Sequence, residues 1–215
     1  MPPPGKPSDT RSRIIAAAAE EFGARGFAAT SVDVIARRAR VNKAMIYYHF
    51  SSKQALYTSI LRDIYVALGE QLQGIAAQTV GPPRKLDALI HTLVQALDAR
   101  THFLPMFLRE LAEGGRHLGP QELSLIAGIF AVVSGVIAEG VEAKVFRPVH
   151  PALAHFSIIG PLILFRATAP VRARIRQARQ IEIPDADSAT LIQHIQTVAR
   201  RMLAPEESHE RNIQG

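Results

Sequence analysis

Residues 30–53 read TSVDVIARRARVNKAMIYYHFSSK and contain two short helical patterns close together. Apolar residues recur with a helical period over 32–39, which predicts a short helix. Asn42 is a good N-cap for a second helix that ends near Phe50. The connection between the two helices is only about three residues long, which is typical of a helix-turn-helix unit.

Hydroxyl side chains mark two helix starts in this stretch. Thr30 is followed by Asp33 three residues later, and Ser51 is followed by Gln54 at the same spacing. Both pairs fit a capping box, in which the first side chain caps the helix that begins after it. We therefore expect Thr30 and Ser51 to be the capping residues.

The second helix has one apolar face. Ile46 and Phe50 lie four residues apart and share that face, so we expect both to point into the core with Val41. The side chains then expected to face outward are Lys43, Ala44, Met45, Tyr47 and Tyr48. Such a basic, aromatic helix surface can hold nucleic-acid phosphates and reach base edges in a groove.

The segment resembles the DNA-binding domain of the tetracycline-repressor (TetR) family. The resemblance runs from about Arg11 to Leu61 and includes SRIIAAAAEEFGARGF, the helix-turn-helix and IYYHFSSKQALY. It departs at Arg40, where the family usually has a glycine suited to a left-handed turn. Two alternatives are open: the turn takes a slightly different path, or Arg40 tolerates some strain and gains a phosphate contact.

The resemblance implies a regulator that reads double-stranded DNA with the second helix. The residues expected to face bases or the groove are Lys43, Ala44, Met45 and Tyr48. Ala44 and Met45 can make only apolar contacts, for which the thymine methyl group is the natural partner. The residues expected to hold phosphates, partly through backbone N–H groups, are Thr30, Ser31, Arg40, Tyr47, His49 and Lys53.

The charge distribution agrees with this expectation. The net charge of the 215 residues is +6. Residues 1–62 contain ten Lys and Arg against four Asp and Glu, whereas the remainder has equal numbers of each. The whole positive excess therefore lies in the segment expected to bind a polyanion, although a solvated basic tail would give the same count.

Several protein classes are disfavoured by composition. The absence of cysteine excludes disulfides and thiolate metal sites. The N-terminal MPPPGKPSD lacks the apolar stretch of a signal peptide, and no uncharged apolar run reaches about 18 residues. We expect a cytoplasmic protein without membrane association, metal or cofactor.

The rest of the sequence predicts further helices. The first should cover Thr10 to Arg25 and end at Gly26, with Phe27 folding back onto Phe22. The others are predicted at about 53–78, 83–100, 102–114, 120–145, 150–167, 170–179 and 186–203, with Gly and Pro between most of them. No strand pattern is convincing.

We therefore predict an all-α chain with two functional parts. Residues 1–9 would be a disordered leader and 10–62 a three-helix DNA-binding domain with the helix-turn-helix. Residues 63–204 would form a helical ligand-binding and dimerisation domain, and 205–215 a flexible tail. The helix around residues 122–141 is so apolar that it should be buried nearly all round.

The resemblance also implies a homodimer. In the family the last two long helices pair across a two-fold axis as a four-helix bundle, which here implies 150–167 and 186–203. One short recognition helix reads few bases. Two heads about 34–36 Å apart can read a palindrome in successive major grooves.

A ligand pocket in the second part is a further implication of the family. Large, soft residues that could line it are Tyr65, Leu68, Phe103, Met106, Phe107, Phe130, Val133, Ile137 and Phe165. Ordinary core packing is the alternative for each of them. Pro161 and Pro105 could kink their helices and leave room for a ligand. Candidates for a polar anchor are His102, Arg109, His155 and Arg166.

Enzymatic function finds little support in the sequence. The eight histidines include no zinc-protease pair with an intervening Glu, and Gly-x-Ser-x-Gly, Walker and GxGxxG motifs are absent. Asp87 and His91 are spaced as a surface pair on one helix. The arginines at 172, 174, 176 and 179 could form a second polyanion site, but a solvated helix face explains them as well.

The sequence thus predicts a repressor-type switch. A small, largely apolar effector would move the helix 53–78, change the separation of the two heads and release a palindromic operator. One alternative is a DNA-binding dimer that has no effector. Another is a helical carrier or enzyme that merely contains a helix-turn-helix.

Overall fold

The computed structural model describes residues 7–179 and 184–205, with side chains placed at 10–178 and 184–205. Over these residues the chain forms ten α-helices and no strand, so the all-α prediction is confirmed. Most of the predicted leader, residues 1–6, and nearly all of the predicted tail, residues 206–215, lie outside the described residues.

Each predicted helix is present within a few residues of its expected limits. The helices are α1 (Pro7–Ala29), α2 (Val32–Ala39), α3 (Lys43–His49), α4 (Lys53–Ala76), α5 (Pro82–Ala99), α6 (Phe103–Ala112), α7 (Pro120–Glu142), α8 (Pro151–Ala167), α9 (Ala169–Arg179) and α10 (Ser188–Leu203).

Helix α1 is interrupted at Gly26, as the sequence predicts. Gly26 has φ 79° and ψ 174°, in the region open to glycine but not to side-chain-bearing residues. The Phe27 ring lies 6.0 Å from the Phe22 ring, so the expected fold-back contact is formed. The helical turns up to Ala29 follow this interruption, which leaves the carbonyl groups before Gly26 open to other donors.

The turn between α2 and α3 settles the question of Arg40. Arg40 has φ 54° and ψ 47°, the left-handed conformation that the family's glycine would adopt. The Val41 N–H donates to the Ala36 carbonyl at 3.0 Å, which closes the end of α2. The turn therefore keeps its expected path, and Arg40 tolerates the strain.

Two of the predicted caps are wrong by one residue. Ser31, not Thr30, caps α2, because its Oγ accepts from the Val34 N–H at 3.3 Å. Ser52, not Ser51, caps α4 by accepting from the Ala55 N–H at 3.0 Å. Adjacent hydroxyl residues satisfy the sequence pattern equally well, and tertiary contacts decide between them.

The cap of α3 is the one that the sequence predicts. The Asn42 Oδ1 accepts from the Ala44 N–H at 3.0 Å and satisfies one of the free N–H groups at the helix start.

Neither of the two prolines predicted to kink a helix interrupts it. Pro105 lies in the first turn of α6, where no intrahelical N–H bond is required, so it is accommodated without a break. Helix α8 continues through Pro161, and a bend of 44° separates it from α9 at Thr168 instead.

Helix α7 is not buried all round, contrary to prediction. Val133, Val136 and Ile137 are buried, whereas Leu123 and Ala131 are exposed. By length and composition alone α7 could cross a membrane, and so could α8 and α9 taken together as a bent pair. Apolar core helices of soluble proteins share this character.

The chain divides into two compact units. The first contains residues up to Gly69 together with Leu97–Ala127, and therefore includes α1, α2, α3 and α6. The second contains Glu70–Ala96 and the residues from Gly128 onward. Compactness thus groups α6 with the helix-turn-helix, while the predicted boundary between residues 62 and 63 stays a prediction about function.

Within the second unit, polar contacts join α5 to α10. The Gln196 Nε2 donates to the Asp87 carbonyl at 3.0 Å, and the Arg200 guanidinium lies 2.8 Å from the Asp87 carboxylate. Asp87 therefore pairs with Arg200 rather than forming the isolated surface pair with His91.

The strain at Arg40 leads to a stability prediction. Arg40→Gly should raise the free energy of unfolding by about 1 kcal/mol, because glycine adopts positive φ without the Cβ contact. Urea denaturation monitored by circular dichroism would measure the change. Lys144→Gly is the matched control, since Lys144 has φ 58° in the second unit. A destabilised Arg40→Gly protein would show that the arginine side chain makes compensating contacts.

Candidate nucleic-acid interface

Helix α3 presents an outward surface on a buried anchor. Ile46 is fully buried and Phe50 is buried beside it, as predicted, with Val41 half-buried. Tyr48 is 79% exposed, and Tyr47 is also exposed. The other exposed members of the predicted surface are Lys43, Ala44 and Met45. The short helix therefore holds its reading surface in place through two apolar side chains.

Lys43 makes an ion pair at the front of this surface. Its Nζ lies 2.9 Å from Oδ2 of Asp33 in α2. The hydrogen bond from Lys43 lowers the pKa of Asp33, and the same bond raises the pKa of Lys43. Both side chains are solvent-exposed, and exposed pairs contribute little stability. Lys43 can therefore exchange Asp33 for a DNA acceptor at small cost.

Thr30 does not present its side chain to solvent. It is 1% exposed, and its hydroxyl lies 3.1 Å from the Glu21 carbonyl and 2.8 Å from the Gly26 carbonyl. The hydroxyl is therefore already used within the fold, and a phosphate contact by Thr30, expected partly through backbone N–H groups, stays a prediction. Ser31, in contrast, is exposed at the start of α2.

Lys53 has two carbonyl partners within the free chain. Its Nζ donates to the Phe27 carbonyl at 2.9 Å and to the Thr30 carbonyl at 3.0 Å. The same ammonium lies 4.2 Å from the centre of the Phe27 ring, a cation–π contact. Lys53 thus fastens the start of α4 to the segment between α1 and α2. A phosphate contact by Lys53 would have to replace these bonds.

Arg109 binds the end of α1 from α6. Its guanidinium donates to the carbonyls of Phe22, Gly23 and Ala24 at 3.0, 2.6 and 3.1 Å. Cations near a helix C-terminus satisfy free carbonyls and interact well with the helix dipole. Arg109 is thus engaged within the fold, and the suggestion that it anchors a ligand stays a prediction. No sequence signal links an arginine to carbonyls more than 80 residues away.

A buried carboxylate joins α4 to α6 next to these contacts. The Glu110 Oε1 accepts from the Tyr57 hydroxyl at 2.7 Å and lies 2.8 Å from Nδ1 of His117. Burial and the hydrogen bond to Glu110 raise the pKa of Tyr57 above its usual range. The His117 ring also packs on Phe27, with 4.4 Å between the ring centres. This cluster joins α6 to α4 and to the end of α1.

Other charged side chains of the DNA-binding domain make contacts within that domain. Arg38 of α2 binds the buried Glu21 at 2.7 Å and also contacts Glu20. Arg11 of α1 lies over the Phe50 ring at 5.5 Å. Arg37 and Arg40, in contrast, are exposed beside the turn. Part of the basic excess is thus used within the domain rather than left for DNA.

His49 ends α3 in a partly buried position. Its ring packs edge-on against Tyr48 at 5.1 Å, and its Nε2 atom is buried without a hydrogen-bond partner among the described residues. A phosphate contact through this nitrogen would require the ring to move, so the role of His49 stays a prediction.

The nine residues suggested for a ligand pocket fall in both compact units. Those in the first unit are Tyr65, Leu68, Phe103, Met106 and Phe107, and those in the second are Phe130, Val133, Ile137 and Phe165. In the first unit the rings form a chain: Tyr65 meets Phe103 edge-on at 5.8 Å, and Phe103 stacks on Phe107 at 5.8 Å.

The remaining polar candidates have distinct surroundings. Burial lowers the pKa of His102, which packs against Gly23 so tightly that a Cβ there would lie 2.7 Å from the His102 Cβ. His155 is buried against Phe130 at 4.6 Å, and burial lowers its pKa as well. Arg166 donates to the Ser188 hydroxyl at 2.7 Å. His102 and Arg166 therefore contribute to packing and to helix contacts.

The arginines of α9 do not form an unpaired basic cluster. Arg172 lies 2.9 Å from Asp185 and 4.0 Å from the centre of the Phe165 ring, and Arg176 lies 3.4 Å from Asp185. A shared carboxylate thus offsets two of the charges. The side chain of Arg179 lies outside the described residues.

Comparison with known proteins gives the same picture. Residues 14–60 match the sequence model described as "Bacterial regulatory proteins, tetR family". The transcriptional repressor KstR2 of Rhodococcus jostii is 31% identical over 156 residues, which are 68% of this chain and 74% of that protein. The transcriptional repressor NicS of Pseudomonas putida is 28% identical over 136 residues, 63% of this chain and slightly under two thirds, 64%, of NicS.

The fold is also shared with a solved structure. The transcriptional regulator FadR of Bacillus subtilis, solved in complex with stearoyl-CoA, has a TM-score of 0.68 at 17% identity. The match covers 89% of this chain and 98% of that one. Similarity of sequence and of fold thus extends beyond the helix-turn-helix, and the chain belongs to the TetR family of bacterial regulatory proteins.

Proposed function

We propose that this protein is a cytoplasmic, dimeric transcriptional repressor that binds a palindromic operator and is released by a small, largely apolar effector. One observation carries the DNA-binding part of the proposal. Helix α3 exposes Lys43, Met45 and Tyr48 while Ile46 and Phe50 hold it from below. A short helix with a rigid base and an exposed basic, aromatic surface fits the major groove.

The exposed groups divide into two kinds of DNA contact. Lys43, Ala44, Met45 and Tyr48 would face bases, while Ser31, Arg40 and Tyr47 would contact phosphates together with the N–H groups at the starts of α2 and α3. Thr30 and Lys53 would act as positioning residues, because both bind carbonyls at the end of α1. They would place α2 and α4 so that the exposed groups reach the phosphates of the DNA.

Base selection tests the proposal directly. Selection from random DNA should enrich a palindrome whose half-site centres lie about 10 base pairs, one helical turn, or a multiple of that, apart. Fluorescence anisotropy would then measure affinity for the selected sequence. Tyr48→Ala and Lys43→Ala should each weaken binding about tenfold or more, because each loses a groove contact.

The matched control is Arg84→Ala, which removes an exposed positive charge from α5 in the second unit. It should leave operator affinity nearly unchanged. For the unmodified protein, the logarithm of the binding constant should fall linearly with the logarithm of salt concentration, by about 0.9 per neutralised phosphate. Selection that enriches no palindrome would refute the proposal.

An exposed apolar stripe supports the dimer. Phe156 is 63% exposed in α8, and Leu153 and Leu164 are exposed on the same side of the helix. Phe156 lies three residues after Leu153 and eight residues before Leu164. All three therefore share one helix face with Gly160. Val198 of α10, which packs on α8, is also exposed. A contiguous apolar face of this kind marks an interaction site, and the family pairs these two helices.

Charge introduced into the stripe should prevent dimerisation. Phe156→Glu should give a monomer in sedimentation analysis, since burying an unpaired carboxylate at the interface is strongly unfavourable. The control is Leu111→Glu, which changes a leucine of α6 that is 61% exposed and outside the stripe. A Phe156→Glu protein that remains dimeric would place the interface elsewhere.

Effector release requires contacts between the predicted ligand-binding domain, residues 63–204, and the DNA-binding domain, residues 10–62. Helix α6 supplies such contacts. Phe103 and Met106 lie on the buried side of α6, while Arg109 on the same helix binds three carbonyls of α1. A shift of α6 would therefore act on the end of α1 and, through Glu110, on Tyr57 of α4. The proposed movement would therefore involve α6 as well as α4.

Removal of the Arg109 contact should weaken the first unit. Arg109→Ala should lower the free energy of unfolding by about 1–3 kcal/mol, since charge-assisted bonds to helix carbonyls are lost. Arg109→Lys should recover part of the loss, because an ammonium can satisfy fewer carbonyls than the guanidinium fork. Urea denaturation measures both, and unchanged stability in Arg109→Ala would argue against this coupling path.

A further inference from the structure

Two buried tyrosines on α4 differ in one respect. Tyr57 and Tyr65 are separated by about two helical turns and are both almost completely buried. The Tyr57 hydroxyl donates to Glu110 at 2.7 Å. The Tyr65 side chain is only 2% exposed, and its buried hydroxyl has no hydrogen-bond partner among the described residues.

An unpaired buried hydroxyl is unfavourable for a folded protein. It loses its hydrogen bonds to water and gains none in return, so phenylalanine would be more stable at the same position. Such a hydroxyl needs a hydrogen-bond acceptor, and the described residues supply none. A buried water needs two to four polar partners, and the rings of Phe103 and Phe107 supply none.

The side chains around Tyr65 indicate what the partner is. Its ring meets Phe103 edge-on at 5.8 Å, Phe103 stacks on Phe107, and Met106 of the same helix is fully buried. This cluster of the first unit offers apolar surface and one hydrogen-bond donor. Apolar sites with few, well-placed polar groups are the usual form of small-molecule sites.

The charges near Tyr65 favour a neutral ligand. The charged groups that act on its hydroxyl are two carboxylates, Glu110 and Glu122, which with burial raise the pKa of Tyr65. The hydroxyl therefore remains protonated and acts as a donor. Glu122 is paired with Arg62, so this guanidinium is not free to bind an anionic ligand, and Glu110 lies 2.8 Å from the His117 ring.

We propose that the Tyr65 hydroxyl donates a hydrogen bond to an uncharged carbonyl oxygen of an otherwise apolar effector, such as a ketone, and that the site disfavours carboxylates. The inference rests on the proposed effector-responsive function and adds the chemical class of the ligand. Because Phe103 and Met106 belong to α6, the occupant would contact the helix that carries Arg109 and Glu110.

The first test needs no ligand. Tyr65→Phe should raise the melting temperature, because it removes an unpaired buried hydroxyl. Tyr57→Phe is the matched control on the same helix and should lower the melting temperature, because it removes the hydrogen bond that the Tyr57 hydroxyl donates to the buried Glu110. A Tyr65→Phe protein that melts lower than the unmodified protein would overturn the inference, since its hydroxyl would then be satisfied without a ligand.

The second test compares probes that differ in charge. We would use 2-dodecanone and cyclododecanone as neutral carbonyl compounds and dodecanoate as the anion, each followed by the melting temperature of the DNA-free protein. The ketones should raise the melting temperature more than dodecanoate. Tyr65→Phe should bind the better ketone about tenfold more weakly, the equivalent of one lost hydrogen bond.

The possible outcomes separate this inference from the proposed function. Stronger binding of dodecanoate, equal ketone affinity in Tyr65→Phe, or no binding of either ketone would overturn the inference even where a palindromic operator is selected. Conversely, ketone binding that depends on Tyr65 would support the site even where no operator is selected, in which case the regulatory function fails and the site stands.

Discussion

The interrupted end of α1 is the constraint on which the rest of the head depends. Gly26 breaks the helix at a positive φ and leaves a group of backbone carbonyls without intrahelical partners. Three side chains from separate parts of the chain satisfy them: Thr30 ahead of α2, Lys53 at the start of α4 and Arg109 on α6. Each bond is modest alone, but together they fix three helices against one helix end. The position of α3 follows, because α2 and α4 flank it in the chain.

This arrangement explains why α6 groups with the DNA-binding helices in the structure. An arginine and a buried glutamate on consecutive positions bind α1 and α4 in different ways. Arg109 donates to carbonyls, while Glu110 accepts from Tyr57. Loss of these contacts would leave polar groups unpaired, which is unfavourable. A movement of α6 would therefore act on both α1 and α4, which supports the proposed transmission from an effector to the DNA-binding domain.

The sequence predicts local features well and long-range ones poorly, for physical reasons. Helix starts, the Gly26 turn and the burial of Ile46 and Phe50 depend on residues within one or two turns, so their patterns are visible in the chain. The choice of Ser31 over Thr30 as the cap depends on carbonyls of α1, and the partners of Lys53 lie more than 20 residues away. The exposure of α7 depends on which of its apolar side chains the other helices of the same chain cover.

Arg40 and Tyr65 share a property that sequence patterns do not reveal. Each occupies a position where another residue would make the free protein more stable: glycine at the left-handed turn, and phenylalanine at the buried hydroxyl. Arg40 is exposed beside α3, and Tyr65 is buried against Phe103 of α6. Residues that break a local rule are often found at functional sites. The proposed switch would have its two ends at these positions, with a phosphate as the partner of Arg40 and a carbonyl oxygen as the partner of Tyr65.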